Sequence, residues 1–341
     1  MTNLDSIKIK FSNDCLTNVS NSGDIVRKID RETGNLSKDN IEFSKMAIRG
    51  LNNIVINNLS NETILQVSAK ILKQNYIEGI NKNTIVEVIE NVNSYGLINI
   101  NSNKLLERAE CLTIDVTDNL KFNSNDTKNL YKILSNMPLA MKYNIDYFNT
   151  NSNLGVVWKG TQKSLKDRTI CYDKIRDLKR DKSLTSSGYE NKVFNDFKDV
   201  QRFEQNLVSF KQMRGYYGSN KLENILLSDS KANYLKFCKM TENRVDLKLF
   251  SEYIGMSFKD IRLLEGDKNL IALNGYDWKR FQTFTKTYCK NNYRAYLIKI
   301  RPTFNSIVAE LEKNKNKTKM NYFETDINII KEIKQQLLYT G

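Results

Sequence analysis

The sequence predicts an α+β protein: an antiparallel, sheet-centred region with packed helices, followed by a mainly helical C-terminal region. Three observations carry this. Short alternating or apolar runs dominate roughly the first 210 residues. Beyond Arg214 the apolar positions fall at helical spacing instead. The strand-rich part is followed by a run of helices, which favours α+β.

Taken in order, Ile7-Lys-Ile-Lys-Phe11, residues 41–48, Asn53-Ile-Val-Ile56 and residues 63–72 carry strand patterns. A helix follows, with Ile85, Val88, Ile89 and Val92 at i, i+3, i+4, i+7. Asn83 or Thr84 can cap its start and Gly96 ends it. Cys111-Leu-Thr-Ile-Asp115-Val-Thr-Asp118 reads as a strand with carboxylates at its end, and 126–138 as a helix. Strands at 155–159, 168–174 and 200–210 complete the β-rich part, with a basic loop at 176–192. Helices are expected at 220–228, 230–240, 246–254, 257–264, 276–289, 293–312 and 325–339, the last preceded by a basic linker at 313–319. The expected division is 1–215, 216–312 and 313–341.

With 40% hydrophobic residues the chain can build a sizeable core. Its 53 basic against 39 acidic side chains give a net charge of +14, which points to a polyanionic partner, nucleic acid first. No apolar run approaches membrane-spanning length and the N-terminus is polar, so a cytoplasmic protein with no membrane partner is expected. The five cysteines are scattered and never spaced CxxC, which argues against structural zinc. Histidine is absent. That excludes an imidazole base, a Ser-His-Asp triad and a histidine-bound metal, so a catalytic metal would sit among oxygen ligands, favouring Mg²⁺ or Mn²⁺.

Two segments concentrate chemistry. In the strand ending at Tyr172, alternation places Arg168, Ile170, Tyr172 and Lys174 on one side; on the second, Arg202 and Glu204 point together. A tyrosine flanked by cations with a carboxylate nearby is what attack on a phosphodiester requires. The cations hold the phosphate, and the carboxylate holds a metal or takes the phenol proton; Lys174 or Arg168 would favour the phenolate. Tyr189, Tyr216 and Tyr217 are rival nucleophiles, and a sheet tyrosine packed beside phosphate-binding lysines is the plain alternative. Lys159, Lys163, Lys166 and Arg168 form a basic run suited to backbone phosphates. Residues 276–301, with Arg280 among seven basic side chains against one acidic, suit DNA on charge; Phe281, Phe284 and Tyr288 are spaced for a helical core.

Three blocks, in this order, resemble the rolling-circle replication initiators of phages and small plasmids, the filamentous-phage gene II type and plasmid Rep relaxases. The first is Val67-Ser-Ala-Lys70-Ile-Leu-Lys-Gln-Asn75-Tyr76-Ile-Glu-Gly79-Ile-Asn81. The second is Thr113-Ile-Asp115-Val-Thr, and the third Tyr172-Asp-Lys174 with Arg202-Phe-Glu204. They span roughly residues 60–215. The resemblance implies a strand-nicking and joining enzyme. Tyr172 would be the nucleophile, assisted by Lys174 and Arg168; Asp115, Glu204 and Asp118 would be metal ligands for Mg²⁺ or Mn²⁺. Lys70 and Arg202 in these blocks would contact DNA, as would Lys159, Lys163, Lys166 and Arg280 on their charge alone. The partners implied are origin DNA, single-stranded or cruciform, and a host helicase and polymerase.

This chain departs from the family pattern where Thr113 replaces an arginine and Asn119 stands at the position of a second acid, leaving Asp118 as a shifted candidate. The family's frequent His-hydrophobe-His metal site cannot form here, so the plasmid subgroup with acidic ligands is the nearer chemical analogue. A non-catalytic, sequence-specific DNA-binding protein is the alternative reading, sharing the charge and the helices without tyrosine chemistry.

Overall fold

The computed structural model describes residues 2–43, 48–122, 130–131, 134, 143–148, 155–160, 168–241, 278–279, 281–282, 297–298, 301, 304 and 320–339. The chain is α+β. Its strands are β1 (Leu4–Ser12), β2 (Leu16–Val19), β3 (Asp24–Ile29), β4 (Leu36–Glu42), β5 (Leu51–Asn57) and β6 (Glu62–Ser68). They continue with β7 (Ile98–Ile100), β8 (Glu110–Lys121), β9 (Tyr143–Tyr147), β10 (Gly155–Gly160), β11 (Arg168–Asp173) and β12 (Val200–Leu207).

Two compact units emerge, neither contiguous in sequence. The first comprises Met1–Phe122, Val157–Asn233 and Leu337–Gly341; the second comprises Asn123–Val156 and Tyr234–Gln336. This differs from a division at residues 215 and 312. The helix Leu222–Leu227 buries Leu222, Ile225 and Leu226 in the same core as β1 and β8, and so belongs to the sheet-bearing unit.

Across the main sheet of the first unit the order is β3-β4-β5-β6-β1-β8-β12-β11-β10. The ladders from β3 to β11 are antiparallel. β12, the last strand in sequence, inserts between β8 and β11, bringing residues near 115, 172 and 204 together. Pairing fixes the faces: Leu207 lies opposite Ile114, Gln205 opposite Val116 and Phe203 opposite Asp118, while Asn206 faces Asp115 and Glu204 faces Thr117. The first set, with Ile7 of β1 opposite Ile114, forms a largely apolar face. The second set lies on the other face.

Helix Ile85–Ser94 forms as its periodicity predicts, burying Ile85, Val88, Ile89 and Val92. Thr84 is its N-cap, one of the two residues expected there, but its side chain does not cap the helix: Oγ1 donates back to the Gly79 carbonyl at 2.7 Å. Just ahead of the helix, Asn81 Oδ1 accepts from the Asn83 amide at 2.8 Å. The expected loop at 176–192 contains three short helices, Lys174–Leu178, Lys182–Thr185 and Glu190–Asp196. Asp173 and Asp181 supply N-caps for the first two.

In the second unit Phe281 is buried, as its spacing predicts, and stacks on Trp278 with centroids 5.7 Å apart. Phe304 meets Trp278 edge-on. Helix Met320–Tyr339, whose last residues from Leu337 fall in the first unit, buries Ile329, Ile333 and Leu337 at four-residue spacing. Among the described residues no helix is long and apolar enough to cross a membrane. The expected helices at 246–254 and 257–264 lie outside the described residues.

Candidate active site

The polar face of β8, β12 and β11 is buried at Thr117, Tyr172 and Arg202 and half-buried at Asp115, Asn119, Glu204 and Asn206, and that makes it the candidate site. Period-2 alternation puts Asp115, Thr117 and Asn119 of β8 beside Asn206, Glu204 and Arg202 of β12, with Ile170 and Tyr172 of β11 next in line. Tyr172 is 4% exposed and Arg202 1%. Desolvating such groups is costly unless they are paired, so a polar stripe this far withdrawn from solvent asks for a reason.

Pairing accounts for most of it. The Tyr172 hydroxyl donates to Glu204 Oε2 at 3.0 Å and accepts from Lys174 Nζ at 3.0 Å. Lys174 lies just beyond β11, as the first residue of helix Lys174–Leu178, and also pairs with Asp177 at 3.3 Å. Arg202 Nε donates to Asn119 Oδ1 at 3.1 Å, and its Nη1 donates to Tyr76 Oη at 3.1 Å and ion-pairs with Asp5. Tyr76 Oη donates to Asp5 at 2.8 Å. Asp115 accepts from Ser6 and Asn206, one on each carboxylate oxygen.

Asp5 and Ser6 both reach this face because the β1–β8 register shifts between Leu4 and Ser6. A bulge sets two residues against one, and the polar face gains an extra carboxylate from it. Asp5 is thus a site residue that the sequence did not point to. Tyr76, quoted only within the first motif block, is another. It belongs to the 3₁₀ stretch Ala69–Glu78, and its ring lies 5.4 Å from the Lys174 ammonium and 5.2 Å from the Arg202 guanidinium. That stretch is drawn against the chain at Gly50, where a Cβ would meet the Ile71 backbone at 2.3 Å. Only glycine allows the approach, and it sets Arg49 beside Lys70 and Tyr189.

Charge and burial shift the site's titrations. Burial, then the charges of Asp5 and Asp115, raise Glu204 from 4.5 to about 7. Burial also raises Asp115, against the hydrogen bonds from Asn206 and Ser6. Asp5 is buried too, but Lys174 and Arg202 hold it ionised, at about 2. Tyr172 is pushed well above 10 by burial and by Glu204, which outweigh Lys174 and Arg202. This corrects the expectation that neighbouring cations favour the phenolate in the resting protein.

The structure gathers Tyr172, Lys174, Glu204 and Asp115, with Arg168 at the exposed start of β11 opposite Asn206. It does not gather Asp118. That residue lies on the opposite face, across from Phe203, and Asn233 Nδ2 donates to its carboxylate at 2.9 Å. Alternation along β8 forbids residues 115 and 118 from sharing a face, so the three acids do not converge. Arg202 is likewise corrected from a DNA contact: buried and paired with Asp5, it holds the site together. Lys70 is bound to Asp181 at 2.9 Å, and Lys159 is exposed on β10. Lys163, Lys166 and Arg280 lie outside the described residues.

No described group of three or more acidic or cysteine side chains is arranged to hold a metal ion. Asp115 and Glu204 nonetheless suit Mg²⁺ or Mn²⁺. They are diagonal neighbours on adjacent strands, the Asp115 charge raises the proton affinity of Glu204, and Mg²⁺ commonly takes one or two carboxylates with water and substrate phosphate completing its shell.

No family model matches the chain, and no curated protein matches it. Among solved structures, a rolling-circle replication initiator protein from Geobacillus stearothermophilus aligns over 61% of this chain and 74% of its own length, at 11% identity and a TM-score of 0.26. A TM-score of that size does not establish a shared fold.

Proposed function

We propose that this chain nicks and rejoins DNA through Tyr172, in the manner of a rolling-circle replication initiator. The observation that carries the reading is the position of the Tyr172 hydroxyl, 3.0 Å from the half-buried Glu204 carboxylate and 3.0 Å from the buried Lys174 ammonium. A nucleophile within hydrogen-bond reach of both a carboxylate and an ammonium is an arrangement that general-base catalysis uses.

In the step proposed, the phenol proton passes to Glu204 while Lys174 steadies the developing phenolate. The Tyr172 oxygen bonds to phosphorus as the bond from phosphorus to the 3′-oxygen breaks. The products are a 5′-phosphotyrosine and a 3′-oxygen that takes a proton from water. Attack by a 3′-hydroxyl on the phosphotyrosine reverses the step and rejoins the strand. A divalent cation at Asp115 and Glu204 would supply charge neutralisation at the phosphate oxygens. Asp5 and Arg202 fix Tyr76 beneath Lys174, and Ser6 and Asn206 orient Asp115. The charge of +14 supplies the electrostatic attraction to DNA.

Tyr172→Phe should abolish nicking of a supercoiled plasmid carrying the cognate origin while leaving DNA affinity nearly unchanged. Nicking that survives the substitution removes Tyr172 as nucleophile. A second reading, a non-catalytic DNA-binding protein, is favoured by the 4% exposure of Tyr172 and the upward displacement of its phenol. Under that reading no variant and no condition yields a nick.

A further inference from the structure

One polar atom on the buried face has no role in the network above. Thr117 stands directly across from Glu204 on the adjacent strand and two residues along β8 from Asp115, so all three side chains share one face. Thr117 is 3% exposed, and its Oγ1 is buried without a hydrogen-bond partner. A buried hydroxyl left unsatisfied is a cost that valine, of the same shape, would avoid. Its neighbours on the face, by contrast, have their hydrogen bonds: Asn119 accepts from Arg202 and Asn206 donates to Asp115.

We propose that Thr117 Oγ1 is a third oxygen ligand, with Asp115 and Glu204, of a divalent-cation site on this face. The inference rests on the reading that those two carboxylates hold the cation, and it adds the hydroxyl that orients the ion between them. Asp115 retains capacity for a metal although Ser6 and Asn206 donate to it, because each carboxylate oxygen carries two lone pairs. Ser6 and Asn206 then act as the outer groups that fix a ligand's orientation. Two carboxylates and a hydroxyl form a hard, all-oxygen donor set, which suits Mg²⁺ or Mn²⁺.

The test measures Mn²⁺ binding to the full chain by electron paramagnetic resonance of the free ion, together with metal-free thermal melting. Wild type, Thr117→Val, Thr117→Ser and Asp115→Asn are compared. Thr117→Val should weaken Mn²⁺ binding by about tenfold or more, with a metal-free melting temperature equal to or above wild type. Thr117→Ser, which keeps the oxygen, should bind nearly as wild type does. Three results overturn the inference while leaving the carboxylate site standing: wild-type affinity in Thr117→Val, equal loss in Val and Ser, or a sharp fall in the metal-free melting temperature of Thr117→Val. No Mn²⁺ binding by the wild type, indistinguishable from Asp115→Asn, overturns the cation site and this inference with it.

Discussion

Between about pH 5 and pH 8 this chain has few groups to titrate other than Glu204, because it contains no histidine. Burial also holds the Cys111 and Cys171 thiols at about 12, outside that window. Glu204 takes up its proton at about 7 in the folded protein, against 4.5 when unperturbed. In that interval the folded state keeps a proton that the unfolded state has released, so stability falls as pH rises from 4.5 and levels off above about 7. At about 1.4 kcal/mol per pH unit, the full loss is about 3 kcal/mol. Asp5 does not blur the signal, because its contribution, from a carboxyl held at about 2, is already complete above 3.8. Asp115 is displaced in the same direction as Glu204, so its contribution has the same sign. Urea unfolding with chelator, at steps from about pH 5 to pH 8, reads the slope directly. Wild type should lose stability across the range, Glu204→Gln should lose much less, and Mn²⁺ should offset the loss in wild type. A flat wild-type profile, or an unchanged slope in the Gln variant, would refute the reasoning.

Further expectations follow from the same geometry. Asp115→Asn should abolish Mn²⁺-dependent nicking whereas Asp118→Asn should not, since Asp118 lies on the other face; equal loss in a nicking assay would contradict that placement. Asp5→Asn leaves Arg202 buried without its anion and should cost about 3–5 kcal/mol in urea unfolding; a cost under about 1 kcal/mol would mean the pair is solvated. Gly50→Ala forces a Cβ within 2.3 Å of the Ile71 backbone at a φ of +88°, and should lower the melting temperature while weakening DNA binding; wild-type melting would show that the 50–71 approach is slack.

Much of the architecture was legible because the relevant signals are local. Alternation in Ile7-Lys-Ile-Lys-Phe11 and the i, i+3, i+4, i+7 set from Ile85 each report one buried face, and both elements form. The same alternation places Arg202 and Glu204 together, and Tyr172 joins them once β12 pairs with β11. Parity along β8 could also have ruled Asp118 out of the acid set. What could not be read is non-local. The bulge that turns Asp5 inward depends on the β1–β8 register, and the pairing that makes Arg202 a buried strut depends on Asp5 and Asn119, both distant in sequence. Strand alternation puts Lys174 on the tyrosine's face, but it reaches the hydroxyl from the first turn of a helix capped by Asp173. The orphaned Thr117 hydroxyl has no sequence signature, since threonine is an ordinary strand residue.

The most direct measurement is covalent capture. The chain would be incubated with Mn²⁺ and 3′-labelled single-stranded oligonucleotides tiled across the DNA that encodes and flanks it, then run on a denaturing gel. Any shifted band would be digested and sequenced by mass spectrometry. The account predicts a labelled adduct on the peptide carrying Tyr172, absent from Tyr172→Phe. An adduct on Tyr189, Tyr216 or Tyr217, or an adduct that persists in Tyr172→Phe, would contradict it.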